Sequence, residues 1–163
     1  MTRFVCFLAL MVFLSACTLR VREPSGEEKN QLTSEVLALT NEIRFAAENA
    51  DADGLFRYHS DALDAAHIID GKRFIRSQMV NNYRSVYASV ASQEINIGEP
   101  VVKVLTPDLV LVVSEGNFTT NSKSGSSLSG GVAWTYLWQK KKDGWELLHA
   151  HQSFPGPISR AGQ

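Results

Sequence analysis

WTYLWQKKKDGWELLHAHQS, residues 134–153, is the stretch that decides the predicted fold. Asp143-Gly144 separates two alternating runs, and Asp-Gly suits a tight type I′ turn because both central residues accept positive φ. A two-residue turn there sets Trp138 opposite His149 and Tyr136 opposite His151, and opposite residues share a face. A one-residue slip would invert the two faces. The predicted aromatic and histidine face carries Trp134, Tyr136, Trp138, Trp145, Leu147, His149, His151 and Ser153.

Residues 1–16 have the pattern of a secretory signal peptide. Arg3 precedes the apolar run 4–14, which is too short to cross a membrane as a helix. LSAC at positions 14–17 resembles the lipobox of bacterial lipoproteins, in which cleavage precedes the cysteine and the thiol carries diacylglycerol. The resemblance implies a lipidated Cys17 and an extracytoplasmic protein, and Thr18 implies the outer membrane facing the periplasm in a Gram-negative cell. The alternative is a secreted protein with a chance cysteine.

Composition narrows the class of protein further. The two cysteines are Cys6 and Cys17, so cleavage and lipidation would leave no pair for a disulfide. The net charge of the 163 residues is −1 with both signs scattered, which argues against a nucleic-acid partner because such binding needs a basic patch. Residues 17–29 are polar and predict a tether. No cofactor is expected from any motif.

The pattern after the tether predicts one α+β domain, residues 30–157, followed by a tail at 158–163. Apolar residues spaced by three or four predict a long helix over 30–50, a short one after an N-cap at Asp53, and a third over 72–91. Strands are predicted at 65–69, at 94–105 with a bend at Gly98-Glu99-Pro100, and at 109–120, before a Ser/Gly loop over 121–131 and the hairpin. Helices followed by antiparallel strands predict three helices packed on one face of a curved meander sheet.

The element order and the string W-x-x-x-H-x-H-x-S, at Trp145, His149, His151 and Ser153, resemble the nuclear transport factor two-like superfamily. The likeness is to its SnoaL-like branch and to the association domain of the calcium/calmodulin-dependent kinase type two. It implies a cystatin-like cone with a conical ligand-binding pocket and sheet-mediated oligomers, most often dimers. It implies no single reaction, because the fold hosts isomerases, cyclases, dehydratases, carriers and scaffolds.

The two strand histidines are the first candidates for a site. His149 and His151 alternate and so share a face, and imidazole suits proton transfer near neutral pH. They are alternatively hydrogen-bonded sheet residues behind a dimer face or the core. A metal site would need a third ligand, for which Glu115 or His67 would have to converge, so no metal is predicted.

Further candidates come from single residues. Glu115 follows LVLVV, where a central strand would bury it as a base or ligand anchor, unless it pairs with Arg76 or Arg84 or emerges into solvent. Tyrosine hydroxyls and flat tryptophan rings suit a small apolar or aromatic ligand, although core packing explains the tryptophans equally well. The predicted ligand-binding set is Tyr58, Arg76, Trp134, Tyr136, Trp138, His149 and His151.

Three functions follow from these patterns. The first is a membrane-anchored module that binds a small molecule or a protein without chemistry. The second is a SnoaL-like enzyme in which a histidine or Glu115 removes a proton beside a carbonyl while Tyr58 or Tyr136 donates to the oxyanion. The third is a scaffold that self-associates as a homodimer through the aromatic face.

Overall fold

The computed structural model describes residues 22–156 and 159–161. The predicted signal peptide and Cys17 lie outside these residues. Within them, no helix is both long enough and apolar enough to cross a membrane. The helices are α1 (Gly26–Glu48), α2 (Ala52–Leu55) and α3 (Arg76–Tyr87). The strands are β1 (Ala66–Ile69), β2 (Lys72–Phe74), β3 (Val90–Ile97), β4 (Val101–Thr106), β5 (Leu109–Ser122), β6 (Ser127–Lys141), β7 (Gly144–Ser153) and β8 (Ser159–Ala161).

All eight described strands form one curved sheet, in the order β2-β1-β7-β6-β5-β3. β4 lies beside the first half of β5, on the same side as β3, and β8 lies beside the start of β6. Every pairing is antiparallel except that of β1 with β7. The helices pack on the concave face, so the predicted α+β cone is confirmed.

α1 begins at Gly26, earlier than the predicted residue 30. The Ser25 side chain accepts a hydrogen bond from the Glu28 N–H and so caps the first turn, where Glu27 and Glu28 also favour the helix dipole. Its buried residues recur every three or four positions and form the stripe that faces the sheet: Leu32, Val36, Thr40, Ile43 and Ala47. The helical periodicity in the sequence therefore identified the buried face of α1. The Ser25 cap explains why the helix begins earlier than predicted.

Several predicted boundaries are wrong for local reasons. The predicted helix 72–91 is the strand β2 followed by α3, because Asp70 and Gly71 take positive φ and turn the chain back along β1. α2 is capped by Asp51 rather than Asp53, since the Asp51 side chain accepts from the Gly54 N–H. The predicted loop 121–131 is mostly strand, and the predicted tail contains β8.

The β6–β7 hairpin departs from the predicted register. Lys141 pairs with Gly144 and Trp138 with Leu147, which keeps the predicted faces near the turn. The register then shifts, so that Leu137 pairs with His149 and Leu148 is left without a partner in β6. One extra residue in one strand is a β-bulge, and it exchanges the two faces of β7 beyond that point.

The bulge separates the predicted aromatic and histidine face. Tyr136 pairs with Ala150 and so shares the concave face with it, whereas Thr135 pairs with His151. His149 and His151 therefore lie on the opposite face from Trp134 and Tyr136, and the prediction that these side chains stand together is wrong.

The main core lies between the first half of α1 and the hairpin end of the sheet. Trp138, Leu147, Val36 and Val110 are fully buried there. Trp145 closes this end through its indole N–H, which donates to Glu35 on α1 at 2.9 Å. The hairpin end of the cone is therefore filled by packed side chains. The unfilled space lies beside the second half of α1.

Candidate functional site

A cavity of about 400 Å³ lies between the concave sheet and the second half of α1, α2 and α3. Its lining is mainly apolar and includes Ile43, Leu55, Phe56, Met79, Ile95 and Val132. Val86 on α3 lines the cavity yet is 56% exposed, so the cavity opens to solvent beside this helix. An apolar cleft of this volume with a few polar groups suits a small molecule.

One row of residues crosses the concave face at the back of the cavity. In neighbouring strands β1, β7 and β6, His67 pairs with Ala150, and Ala150 pairs with Tyr136. Adjacent strands lie about 4.8 Å apart, so about 10 Å separates the strand positions of His67 and Tyr136. Ala150 lies between them and has only a methyl side chain. This leaves open space between the His67 imidazole and the Tyr136 phenol.

Three tyrosine side chains line the same cavity. Tyr83 and Tyr87 are one turn apart on α3, with ring centroids 5.5 Å apart, and Tyr136 is on β6. Burial raises the pKa of Tyr83 to about 12, and it raises the pKa values of Tyr87 and Tyr136 as well. All three phenols are therefore protonated near neutral pH and can donate hydrogen bonds to an acceptor oxygen.

Two buried histidines line the same cavity. His59 follows α2 and is held by a bridge to β7: Leu147 N–H donates to the Tyr58 carbonyl and Ser60 N–H donates to the Leu147 carbonyl. His67 is on β1, with its ring centroid 4.8 Å from that of His59. Its Nε2 lies 2.9 Å from the Ser60 carbonyl oxygen.

Both histidines are neutral near pH 7. They are 7% and 2% exposed, and burial lowers the pKa of His59 well below its ordinary value and also lowers that of His67. The neighbouring imidazole and the Arg76 guanidinium lower the pKa of His59 further. In the described part of the chain, the Nδ1 atoms of both rings and the Oγ of Ser114, another lining residue, are buried without a hydrogen-bond partner.

The predicted site residues divide between the two sheet faces. Trp134 and Tyr136 line the cavity, as the ligand-binding prediction required. His149 is half-buried and His151 is exposed, both on the convex face. Glu115 points to the convex side with Leu111 and Val113 and is exposed, so it follows the predicted alternative of emerging into solvent and is not a buried base.

The other predicted ligand-binding residues have structural contacts outside the cavity lining. The Tyr58 hydroxyl donates to Glu42, and its ring meets that of Trp138 edge-on at 5.6 Å. Arg76 donates from Nε to the Phe56 carbonyl at 2.8 Å and pairs with Asp61 at 3.1 Å. Trp138 is 0% exposed in the main core.

Metal binding has no geometric support across residues 22–156 and 159–161. In these ranges no three His, Cys, Asp or Glu side chains are grouped to hold an ion. The convex histidines have no carboxylate beside them in the row, since His149 pairs with Leu137 and His151 with Thr135.

The sequence reasoning missed His59, Tyr83, Tyr87 and Ser114. Tyr83 and Tyr87 are spaced i, i+4 and so share a helix face, which was a usable signal. Ser114 alternates with Val110 and Val112 on the concave face of β5. His59 had no periodic signal, because the segment between α2 and β1 is irregular.

Comparisons with known proteins agree with this architecture. The model of the SnoaL-like domain family matches residues 36–157. No curated protein sequence matches the chain significantly.

Solved structures share the fold at low identity. A type 2 hexachlorocyclohexane dehydrochlorinase (LinA) superposes with a TM-score of 0.71 at 10% identity, over 85% of this chain and 94% of that one. A ketosteroid isomerase-like protein from Erwinia carotovora atroseptica gives 0.65 at 20% identity, over 78% and 99%. An NTF2-like protein of unknown function from Pseudomonas putida KT2440 gives 0.65 at 16% identity, over 78% and 89%.

Proposed function

The chain belongs to the SnoaL-like domain family, and from that premise we propose that it binds one small, largely apolar ring compound in the cavity. The observation that carries the proposal is the row across the concave face, where Ala150 leaves a gap between His67 and Tyr136. A cavity of about 400 Å³ is large enough for a compound of one or two rings.

The polar groups favour a ligand with one acceptor oxygen. Tyr136 is 8% exposed and lines the cavity, so its hydroxyl is available to donate to a bound molecule. A buried donor gains most from an acceptor that completes its hydrogen bond. A ketone or a related oxygen on an apolar ring satisfies this requirement, and the surrounding aliphatic side chains bury the rest of the molecule.

We expect 2-tetralone, a bicyclic ketone, to raise the melting temperature of the protein more than tetralin, which lacks the oxygen. A ligand at ten times its Kd adds about 1.4 kcal/mol to the stability of the native state. Differential scanning fluorimetry over a concentration series measures the effect. Tyr136→Phe should remove the preference for the ketone, and Ala150→Leu should abolish both shifts by filling the gap.

Tyr58→Phe is the matched control, because that hydroxyl binds Glu42 outside the cavity lining. It should retain the preference for 2-tetralone. Equal shifts with both compounds in the unmodified protein would contradict the role of Tyr136, and no shift with either compound would contradict a pocket for bicyclic rings.

A second function, acid–base catalysis, is favoured by one specific arrangement. Two neutral histidines and three protonated tyrosines face one apolar cavity, which pairs proton acceptors with hydrogen-bond donors. Isomerase-type or dehydratase-type proton abstraction needs such a pair. If the cavity histidines act in catalysis, we expect His149→Ala and Glu115→Ala to leave turnover unchanged, because both residues lie on the convex face.

Membrane anchoring through Cys17 is part of the proposal. LSAC at 14–17 supports it, and few residues separate Cys17 from α1. We expect the protein in the membrane fraction on the extracytoplasmic side, in a Gram-negative cell at the outer membrane facing the periplasm. Cys17→Ser should move it to the soluble fraction, and mass spectrometry of the mature N-terminus should show diacylglycerol. Unchanged fractionation would contradict the anchor.

Self-association as a homodimer is the remaining proposal. The aromatic face predicted for it is not available, because Trp134, Tyr136 and Trp138 lie on the concave side in the cavity lining and the core, so the proposed surface is the convex face. Val101 and Val113 pair there and are 67% and 40% exposed, and Leu105 is 41% exposed. Exposed apolar side chains on one sheet face favour contact with a second copy. Light scattering should give a dimer for the protein and a monomer for Val113→Lys, whereas a monomer in both would exclude this interface.

A further inference from the structure

We propose that His59 and His67 form a proton relay, in which His59 Nε2 accepts a proton from the bound compound and His67 sets the tautomer of His59. This assignment rests on the acid–base function proposed above. His59 is then the catalytic residue, and His67 is a positioning residue that acts through it.

The hydrogen-bond partner of His67 fixes its own tautomer. Nε2 of His67 lies 2.9 Å from the Ser60 carbonyl oxygen, which can only accept. Nε2 therefore carries the hydrogen. A neutral imidazole has a single N–H, so Nδ1 of His67 holds a lone pair, and this atom is buried without a partner among the described residues.

The two unpartnered Nδ1 atoms complement one another. The rings of His59 and His67 are 4.8 Å apart between centroids, at an interplanar angle of 61°. A rotation of the His59 ring that brings its Nδ1–H onto Nδ1 of His67 would satisfy both buried atoms at once. Leaving a buried polar atom unpaired costs free energy, so this pairing is favoured. The lone pair of His59 is then on Nε2.

Of the two ring nitrogens of His59, only Nδ1 is fully enclosed without a partner among the described residues, and the ring as a whole lines the cavity. With that rotation, a hydrogen-bonded chain would run from the Ser60 carbonyl through His67 to His59 and end at the cavity. A histidine whose second nitrogen is held by another group is the usual arrangement of an oriented base.

Burial, and to a lesser extent the charged groups around the pair, keep both histidines neutral near pH 7. Arg76 opposes a positive charge on His59. Arg73 and His149 oppose one on His67, while Asp61 and the Ser60 carbonyl favour one. The groups that favour a positive charge act on His67, so the relay connects His59 to them.

The proton transfer balances without any further reactant. With a ketone in the cavity, His59 Nε2 takes a proton from the carbon next to the carbonyl. The C–H electron pair becomes the C=C bond of an enolate, and the C=O π pair moves to the oxygen, which accepts a hydrogen bond from Tyr136. Return of the proton to carbon restores the ketone, and in D₂O the returning particle is a deuteron.

The first test needs no ligand. Long-range ¹⁵N–¹H NMR of the labelled protein at pH 7.5 should show His67 with hydrogen on Nε2 and His59 with hydrogen on Nδ1, the less common tautomer of free histidine. In His67→Gln, His59 should lose its fixed Nδ1–H form. A purely structural role for His67 would not move this signal. Finding His59 with hydrogen on Nε2 in the unmodified protein overturns the relay.

The second test follows deuterium entry into 2-tetralone in D₂O by proton NMR. The protein should accelerate exchange over buffer, and His59→Gln should lower the accelerated rate by about 100-fold. His67→Gln should lower it less and shift its pH profile, while His151→Gln on the convex face should leave it unchanged. Full exchange in His59→Gln would overturn the assignment of the base.

The two proposals can fail separately. If 2-tetralone stabilises the protein but does not exchange, binding stands and the catalytic role of His59 fails. If 2-tetralone neither binds nor exchanges, the proposed pocket for bicyclic ketones fails, and the NMR tautomers still decide whether the relay exists.

Discussion

Trp138→Ala is expected to lower the free energy of unfolding by about 3–5 kcal/mol, the usual cost of removing a buried aromatic side chain. Trp138 is 0% exposed and meets the rings of Tyr58 and Tyr136 edge-on, with centroids 5.6 and 6.4 Å away. Trp138 lies where α1 crosses the hairpin. Neighbouring side chains therefore cannot fill the space left by the removed indole without moving a helix. Urea denaturation followed by fluorescence of the remaining tryptophans measures the loss.

Two variants sharpen this result. Trp138→Phe should cost less than Trp138→Ala, since it keeps a ring and removes an indole N–H that is buried without a partner among the described residues. Leu63→Ala should change stability by less than about 0.5 kcal/mol, because Leu63 is 100% exposed. A loss below about 1.5 kcal/mol for Trp138→Ala would mean that this end of the cone is not the stabilising core.

The sequence was sufficient for the fold because each periodic signal had one interpretation. The stripe on α1 from Leu32 to Ala47 has helical spacing, and β5 and the hairpin alternate. Boundaries were less predictable, since they depend on single contacts. The Ser25 cap advances α1, and the positive φ of Asp70 and Gly71 turns an expected helix start into a strand.

The site could not be predicted because a single bulge residue, Leu148, decides which side chains of β7 point into the cone. Leu147 and Leu148 are adjacent apolar residues, which interrupts the alternation, but the pair does not by itself show that the register shifts there. Pairing energies with β6 on one side and β1 on the other select the register, and they are not visible in a single strand. The bulge brings Ala150 inward and sends His149 and His151 outward.

The histidines that do enter the cavity come from segments without a shared motif. His59 is placed by the bridge between its segment and β7, and His67 by the parallel pairing of β1 with β7. Both placements are long-range, so the pair appears only when the chain is folded. Tyr83 and Tyr87 were detectable as one helix face, but nothing in the sequence shows which element they oppose.

Acid is expected to destabilise the protein in the range from pH 7 to pH 5, where most of the loss comes from the buried histidines. Burial holds the pKa of His59 well below its ordinary value of 6.5 and lowers that of His67, so the unfolded chain takes up protons first as the pH falls. Stability therefore decreases below about pH 6.5 and stops decreasing from this source once the folded-state pKa values are reached.

The size of the acid effect follows from linkage. A histidine that stays neutral in the folded state and has an unfolded pKa of about 6.5 contributes a loss of about 2 kcal/mol between pH 7 and pH 5. This figure is the upper limit for one histidine. His59 contributes the larger share, because its pKa is lowered further than that of His67. Glutamates with lowered pKa values, such as Glu35 beside Lys140, contribute only as the pH falls below about 4.5. The chosen range therefore isolates the histidines.

Urea denaturation at half-unit steps from pH 7 to pH 5 measures the slope, and variants assign it. His59→Gln should flatten the slope whatever it does to stability at pH 7, because the group that titrates on unfolding has been removed. His151→Gln is the matched control: that side chain is exposed on the convex face, so the slope should be retained. A slope that persists in His59→Gln and disappears in His151→Gln would place the titrating histidine outside the cone, and with it the base that the relay requires.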